Sequence, residues 1–339
     1  MTIEEIYQLA IQLGIGADPR GKTGVEKTLK RRKEQFEKLS KRDQALFDLE
    51  SLTNPYADSR VVFGDRSVPV NKVLVGIDIY VGEMLLADRL NQKGEGIDLV
   101  IAHHPMGLGL AGLHEVMDVQ IEMMASYGVP INIAEALLTK RIGEVERGIS
   151  PINHNQPVDA ARLLGIPLMN VHTPSDNLVH EFLTKFLAKK ELERVGDIID
   201  ALLEIQEYQE AAKGKAGPAI QVGSPENRAG NVVAAEITGG TEGAHEIYEK
   251  LAHAGVGTIV SMHASEKHYE ETKKHHLNRV IAGHISSDSL GMNLFLDQLE
   301  KKGIEIIPCS GLIRVSRNRS VSAEEFSRRP PAAQLKLHR

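Results

Sequence analysis

The chain contains no tryptophan, and its seven phenylalanines and seven tyrosines bring the aromatic share to only 4%. A surface that stacks nucleobases needs more than this. There is a single cysteine, Cys309. No internal disulfide is therefore possible, and a reducing, cytoplasmic setting is the expectation. No apolar run approaches the roughly 18 residues of a membrane-spanning helix. The opening MTIEEIYQLAIQLG carries acids where a secretory signal carries bases, and its apolar residues are spaced, so it reads as an amphipathic helix. An excess of one charge is missing too: 40 basic against 46 acidic residues leave −6 with neutral histidines. Such a chain has no general attraction to nucleic acid or anionic membranes, and neither is expected as a partner.

What is present is alternation. The length of 339 residues suits two α/β lobes. After the first helix and a Gly/Pro/Asp loop, residues 25–50 read as charged helix, with a basic stretch best taken as a solvated face. KVLVGIDIYV (72–81) is apolar on both faces, as a buried parallel strand is. A helix over 83–93 and the strand DLVIA (98–102) complete a βαβ unit. Further strands are expected at VPINIA (129–134), PLMNV (167–171), NVVAAEIT, GTIVSM, RVIAG and IEIIPC, with helices between them, among them 242–254 and 290–302. The fold class is therefore α/β with mixed, largely parallel sheets. The expected divisions are an N-terminal helical extension (1–54), a first lobe (55–185), a helical linker with a Gly/Pro-rich boundary (186–230), a second lobe (231–318) and a flexible tail (319–339).

Histidine marks the ends of the strands. LVIA runs into His103 and His104, LMNV into His172, TIVSM into His263 and RVIAG into His284. The C-terminal edge of an α/β sheet is where ligands bind. Two of these histidines open the same spacing, His172-x-x-x-Asp176 and His284-x-x-x-Asp288. Residues i and i+4 point the same way over a helical turn, and an imidazole beside a carboxylate is a metal chelate suited to Zn, Fe or Mn. Vicinal residues on a strand point to opposite faces. At a strand end, where the backbone turns, His103 and His104 can each serve a different ion. The metal-ligand set read from the residues is thus His103, His104, Asp176, His284 and Asp288. His172 and His263 stand beside them as ligands or proton carriers. His180 reads as a plain helix-surface histidine.

Two motifs point elsewhere. GADPRGKT (16–23) matches the phosphate-loop pattern, but helical rather than strand periodicity precedes it, so it reads as a helix-terminating loop. GLGLAG (107–112) matches a dinucleotide-loop pattern, but HHPM separates it from its strand, so it reads as a loop flanking the site. Cys309 reads as a small buried thiol.

GIDIYVGEMLLADRLNQKGEGIDLVIAHHP, VHTPSDN and RVIAGHISSDSLG resemble the NIF-three-like family of dinuclear-metal proteins, often labelled GTP cyclohydrolase I type 2. The resemblance spans about residues 70–315, and the opening GADPRG resembles a longer microbial branch of that family. It implies two related α/β lobes with a metal site in the cleft between them, and homo-oligomers, typically a ring-like hexamer. It implies ligands at His103, His104, Asp176 and His284. The fifth, usually a bridging glutamate, falls at Asp288, one methylene shorter. The expected function is a hydrolase of a small-molecule substrate, a nucleotide, phosphoester or cyclic amide. It would use two divalent ions and a bridging hydroxide, with His103 and His284 on one ion, His104 and Asp176 on the other, Asp288 between them, and His172 or His263 moving protons. No residue specifically reads guanine. A non-enzymatic metal-handling protein acting through partners is the alternative.

Overall fold

The computed structural model describes residues 1–318; the tail expected over 319–339 lies outside them. Nine strands form two sheets: β1 (Val61–Phe63), β2 (Lys72–Gly76), β3 (Leu99–Ala102), β4 (Leu168–Asn170), β5 (Ala219–Val222), β6 (Asn231–Ala234), β7 (Val256–Ser261), β8 (Asn278–Ile281) and β9 (Glu305–Cys309). The helices before β2 are α1 (Ile3–Gly16), α2 (Gly21–Lys38) and α3 (Lys41–Leu46). Between β2 and β4 come α4 (Val81–Gln92), α5 (Leu108–Ala111), α6 (Val119–Ser126), α7 (Ile131–Ile149) and α8 (Gln156–Leu164). Then follow α9 (Thr173–Leu187), α10 (Val195–Leu202), α11 (Gln206–Lys213), α12 (Ile247–His253), α13 (Glu266–Lys274) and α14 (His284–Lys301).

The two sheets share one topology. Their orders are β1-β4-β3-β2-β9 and β5-β8-β7-β6. In each, the first strand pairs antiparallel with its neighbour and the remaining pairs run parallel. The lobes are therefore repeats, β1–β4 matching β5–β8. Both faces of each sheet carry helices, which is why β3 is buried along its whole length and why its sequence lacks alternation. On the first sheet, α1 and α14 cover one face, while Met84, Ala87 and Ala161 of α4 and α8 cover the other. On the second, α9, α10 and α14 cover one face, and α6, α7 and α12 the other. Apolar residues of α14 enter the cores of both sheets, with Phe295 and Leu299 in one and Leu290 in the other.

Several local expectations change, and β1 and β5 form in stretches not expected as strands. VPINIA is not a strand: Pro130 caps α7, which begins at Ile131, because a run of strong helix formers follows and proline supplies the turn into it. α14 starts at His284 rather than near 290, and α12 starts at Ile247 because TGGTEG before it is loop. β9, expected with the second lobe, pairs with β2 and extends the first sheet. None of the helices among the described residues is long and apolar enough to cross a membrane.

Candidate metal centre

Three backbone elements deliver the predicted ligands to one place. His103 and His104 extend β3 into the loop after β2, their amides donating to the Gly76 and Ile77 carbonyls, both at 2.9 Å. Contrary to strand alternation, both rings face the same region, with centroids 5.2 Å apart. His172 precedes the first turn of α9, and Asp176 lies in that turn, where the helix dipole favours a carboxylate. His284 opens α14, with Asp288 one turn on. The turn into α14 requires Gly283: its φ is +113°, and a Cβ there would lie 2.5 Å from Ser286 Oγ and 3.0 Å from the Ala216 carbonyl oxygen.

The imidazoles are oriented from behind. Nδ1 of His103 donates to the Val171 carbonyl at 3.1 Å, that of His104 to Asp78 at 2.8 Å and that of His172 to Asp58 at 2.8 Å. Such partners fix the tautomer and leave Nε2 free for a cation. Nε2 of His103 lies 3.4 Å from Asp176 and 3.5 Å from Asp288. Nε2 of His104 and of His284 each lie 3.5 Å from the other oxygen of Asp288. Donor atoms fall within 4.8 Å of one another in three sets: His103, Asp176 and Asp288; His104, His284 and Asp288; and His103, His104 and His172. This grouping differs from the expected pairing of His103 with His284 and His104 with Asp176, because α14 brings His284 against His104, ring centroids 5.2 Å apart.

Charge in the cluster is unevenly held. Burial pushes Asp176 up to about 6, against the pull of His172 and His103. Burial also raises Asp288, but the surrounding histidines, His103 foremost, overcome it and hold the carboxyl well below the usual range. Burial disfavours charged His104, yet Asp288 and Asp78 outweigh it and hold the imidazole up to about 10. Burial takes His284 down to about 4, with Asp288 resisting. A cation that binds Nε2 of His104 must displace a proton at any pH below about 10. Affinity should therefore rise about tenfold per pH unit from pH 7 upward, and more steeply below about 6, where Asp176 is protonated too. Calorimetric titration with Zn²⁺ in two buffers of different ionisation heat should show about one proton released at pH 8; pH-independent affinity would remove His104 from the ligand set.

Several supporting residues escaped the sequence reading. Asp58 is wholly buried and accepts from His172, from the Thr173 hydroxyl at 2.6 Å and from the Thr173 amide at 3.3 Å; its loop, NPYADSR, has no period to flag it. Asp78 and Glu236 each stand two residues past a strand end, where the rule that found the histidines could have found them too. The GADPRG loop follows a helix, as expected, and braces the site. Arg20 forks onto Asp18 at 3.0 and 2.9 Å, Asp18 accepts from Tyr56 at 2.8 Å, and Asn177, next to Asp176, donates to Tyr56 at 3.2 Å and accepts from Thr238 at 2.6 Å. His263 lies against His284, ring centroids 4.6 Å apart, with its Nδ1 on Glu242 at 2.9 Å. His180 is buried rather than on the surface, because α9 lies between the sheets. Burial raises the Cys309 thiol to about 11, which suits an inert residue.

Among solved structures, the chain is similar to a NIF3 superfamily protein from Sphaerobacter thermophilus, at 30% identity over 76% of this chain and 92% of that one, with a TM-score of 0.68. It is also similar to reduced HcgD from Methanocaldococcus jannaschii, at 13% identity over 79% and 94% of the two chains and a TM-score of 0.48. A Bacillus cereus protein related to NIF3 matches at 12% identity over 74% and 91%, with a TM-score of 0.38. No family model matches the sequence, and no curated protein does.

Proposed function

The chain belongs to the NIF3 superfamily, and from that premise we propose that its histidine–aspartate cluster holds two divalent transition-metal ions and serves a metal-dependent hydrolase. The observation that carries the reading is a set of orphaned atoms. His103 Nε2, Asp176 Oδ1 and Asp288 Oδ2 are buried and have no hydrogen-bond partner, although each lies within 3.5 Å of another nitrogen or oxygen of the same cluster. Buried polar atoms are rarely left so, and a cation among them would satisfy all three. The donor set, imidazole with carboxylate, fits Zn, Fe or Mn.

In this reading His103 and Asp176 would hold one ion and His104 and His284 the other, with Asp288 beside both sets. When bound, such ions supply Lewis acidity and lower the pKa of water. The chain's own residues do the rest. Val171, Asp78 and Asp58 keep three imidazoles in the binding tautomer. His172 and His263 would carry protons to and from a substrate. Assembly into homo-oligomers, hexameric by resemblance, belongs to the same proposal, and light scattering on the eluting protein tests it.

What favours hydrolysis over metal handling is access: the side chain of His284 is 41% exposed and that of His263 40%, beside an open cleft. Elemental analysis of purified protein should find about two metal equivalents per chain, lost in His103→Ala/His104→Ala of equal solubility. Retention of the metal by that variant would overturn the site. Metal-loaded protein that turns over no member of a panel of phosphoesters, nucleotides and cyclic amides would leave metal handling as the function.

A further inference from the structure

Facing the ligand cluster, the second lobe presents a wall that metal binding does not use. Two residues past β6, Glu236 takes a φ of +57°, a left-handed conformation that costs a residue with a Cβ and persists where the surroundings enforce it, often at functional sites. Its side chain is 1% exposed. Oε2 is anchored: it accepts from the Tyr248 hydroxyl and from Arg279 at 3.4 Å. Oε1 has no hydrogen-bond partner. The nearest donor, His268 Nε2 at 3.3 Å, is directed to the Gly243 carbonyl at 3.2 Å. Glu236 lines an open cleft together with Thr238, Thr241 and His263, and the same cleft reaches His284 and Asp288.

The repeat explains why this oxygen is not needed to orient His263. Glu236 stands two residues past β6 as Asp78 stands two past β2, and His263 stands two past β7 as His104 stands two past β3. In the first lobe Asp78 accepts a hydrogen bond from Nδ1 of His104. In the second, Glu242 from the glycine-rich loop has taken over His263, and Glu236 is released from that task. Arg279 and His268 lie against the two glutamates, so the wall already has cationic partners. A neutral N–H group suits it better than an ammonium ion, and an anionic phosphate suits it least.

We propose that Glu236 Oε1 accepts a hydrogen bond from an N–H group of the substrate, and that this site takes amides, imides or ureas whose N–H adjoins the bond to be cleaved. The fate of the ligand rests on the hydrolase reading above; its binding does not. Cleavage adds water across the C–N bond, giving a carboxylic acid and an amine or amide, with no change of oxidation state.

Glutarimide and N-methylglutarimide differ by one methyl group at the nitrogen. Titration of metal-loaded and metal-free protein with each, followed by ligand NMR, should show glutarimide binding at least about tenfold more tightly, the scale of a hydrogen bond to a charged acceptor. Glu236→Gln, which weakens the acceptor, and Glu236→Asp, which withdraws it, should each shrink that preference several-fold, in samples whose melting confirms a folded chain. Equal binding of the two imides, no binding of glutarimide, or a preference undiminished in both variants overturns the proposal. Selective binding without hydrolysis would instead overturn the hydrolase reading and leave the assignment of Glu236 standing.

Discussion

Asp288→Asn should empty both of the proposed ion positions at once, whereas Asp176→Asn should empty one. Asp288 is the only residue common to the two histidine–carboxylate sets. One of its oxygens faces His103 and the other faces His104 and His284, all at 3.5 Å. It is almost wholly buried, and the surrounding histidines keep it ionised. An amide of the same shape offers one weak acceptor in place of two charged oxygens and brings a donor toward cations, so it binds neither ion well. Elemental analysis should give close to zero equivalents for Asp288→Asn and about one for Asp176→Asn, against about two for the parent chain. Two equivalents retained by Asp288→Asn would show that the carboxylate is not shared, and the assignment of His104 and His284 to one ion would fall with it.

Gly291→Ala should destabilise the protein and weaken metal binding together. Gly291 lies on α14 two turns beyond His284, against the start of α9. A Cβ there would come 2.4 Å from the Ser175 carbonyl oxygen and 2.6 Å from both Ser175 Oγ and Val179 Cγ2. Two effects compete. Alanine in a helix interior is favoured over glycine by about 1 kcal/mol. Overpacking a closed interface costs roughly 1–3 kcal/mol, and more where the obstacle is backbone. The second wins, because a carbonyl oxygen on a buried helix cannot rotate away. The relief open to the chain is to separate α9 from α14, and these helices carry Asp176 and Asp288. Thermal melting should fall by several degrees, at roughly 2–4 °C per kcal/mol, and the zinc dissociation constant should rise. An alanine variant with unchanged melting and unchanged affinity would mean that the helices are free to slide.

How much of this was readable beforehand follows from the range of each interaction. The histidines past β3, β4, β7 and β8 were legible because a buried strand is a local signal, and a polar residue that interrupts it stands out. The two H-x-x-x-D spacings were legible for the same reason, since i and i+4 meet on any helix. VPINIA was misread because a short apolar run fits a strand or a buried helix start equally well. Asp58 was invisible: its partner His172 lies 114 residues away, and its loop has no pattern. Glu236 looked like one more polar residue in a strand, because the bond it does not make cannot be seen in a sequence.

The sequence by itself pointed to the α/β class, to seven of the nine strands described and to the candidate ligands, because these rest on contacts within a few residues. Only the tertiary structure decided which candidate ligands lie together, that β9 joins the first sheet beside β2, and that one glutamate of the second lobe keeps an oxygen without a hydrogen bond beside the cluster. Each rests on contacts between segments distant in the chain, and the first depends also on how closely α14 lies against α9, where Gly291 leaves room for Ser175.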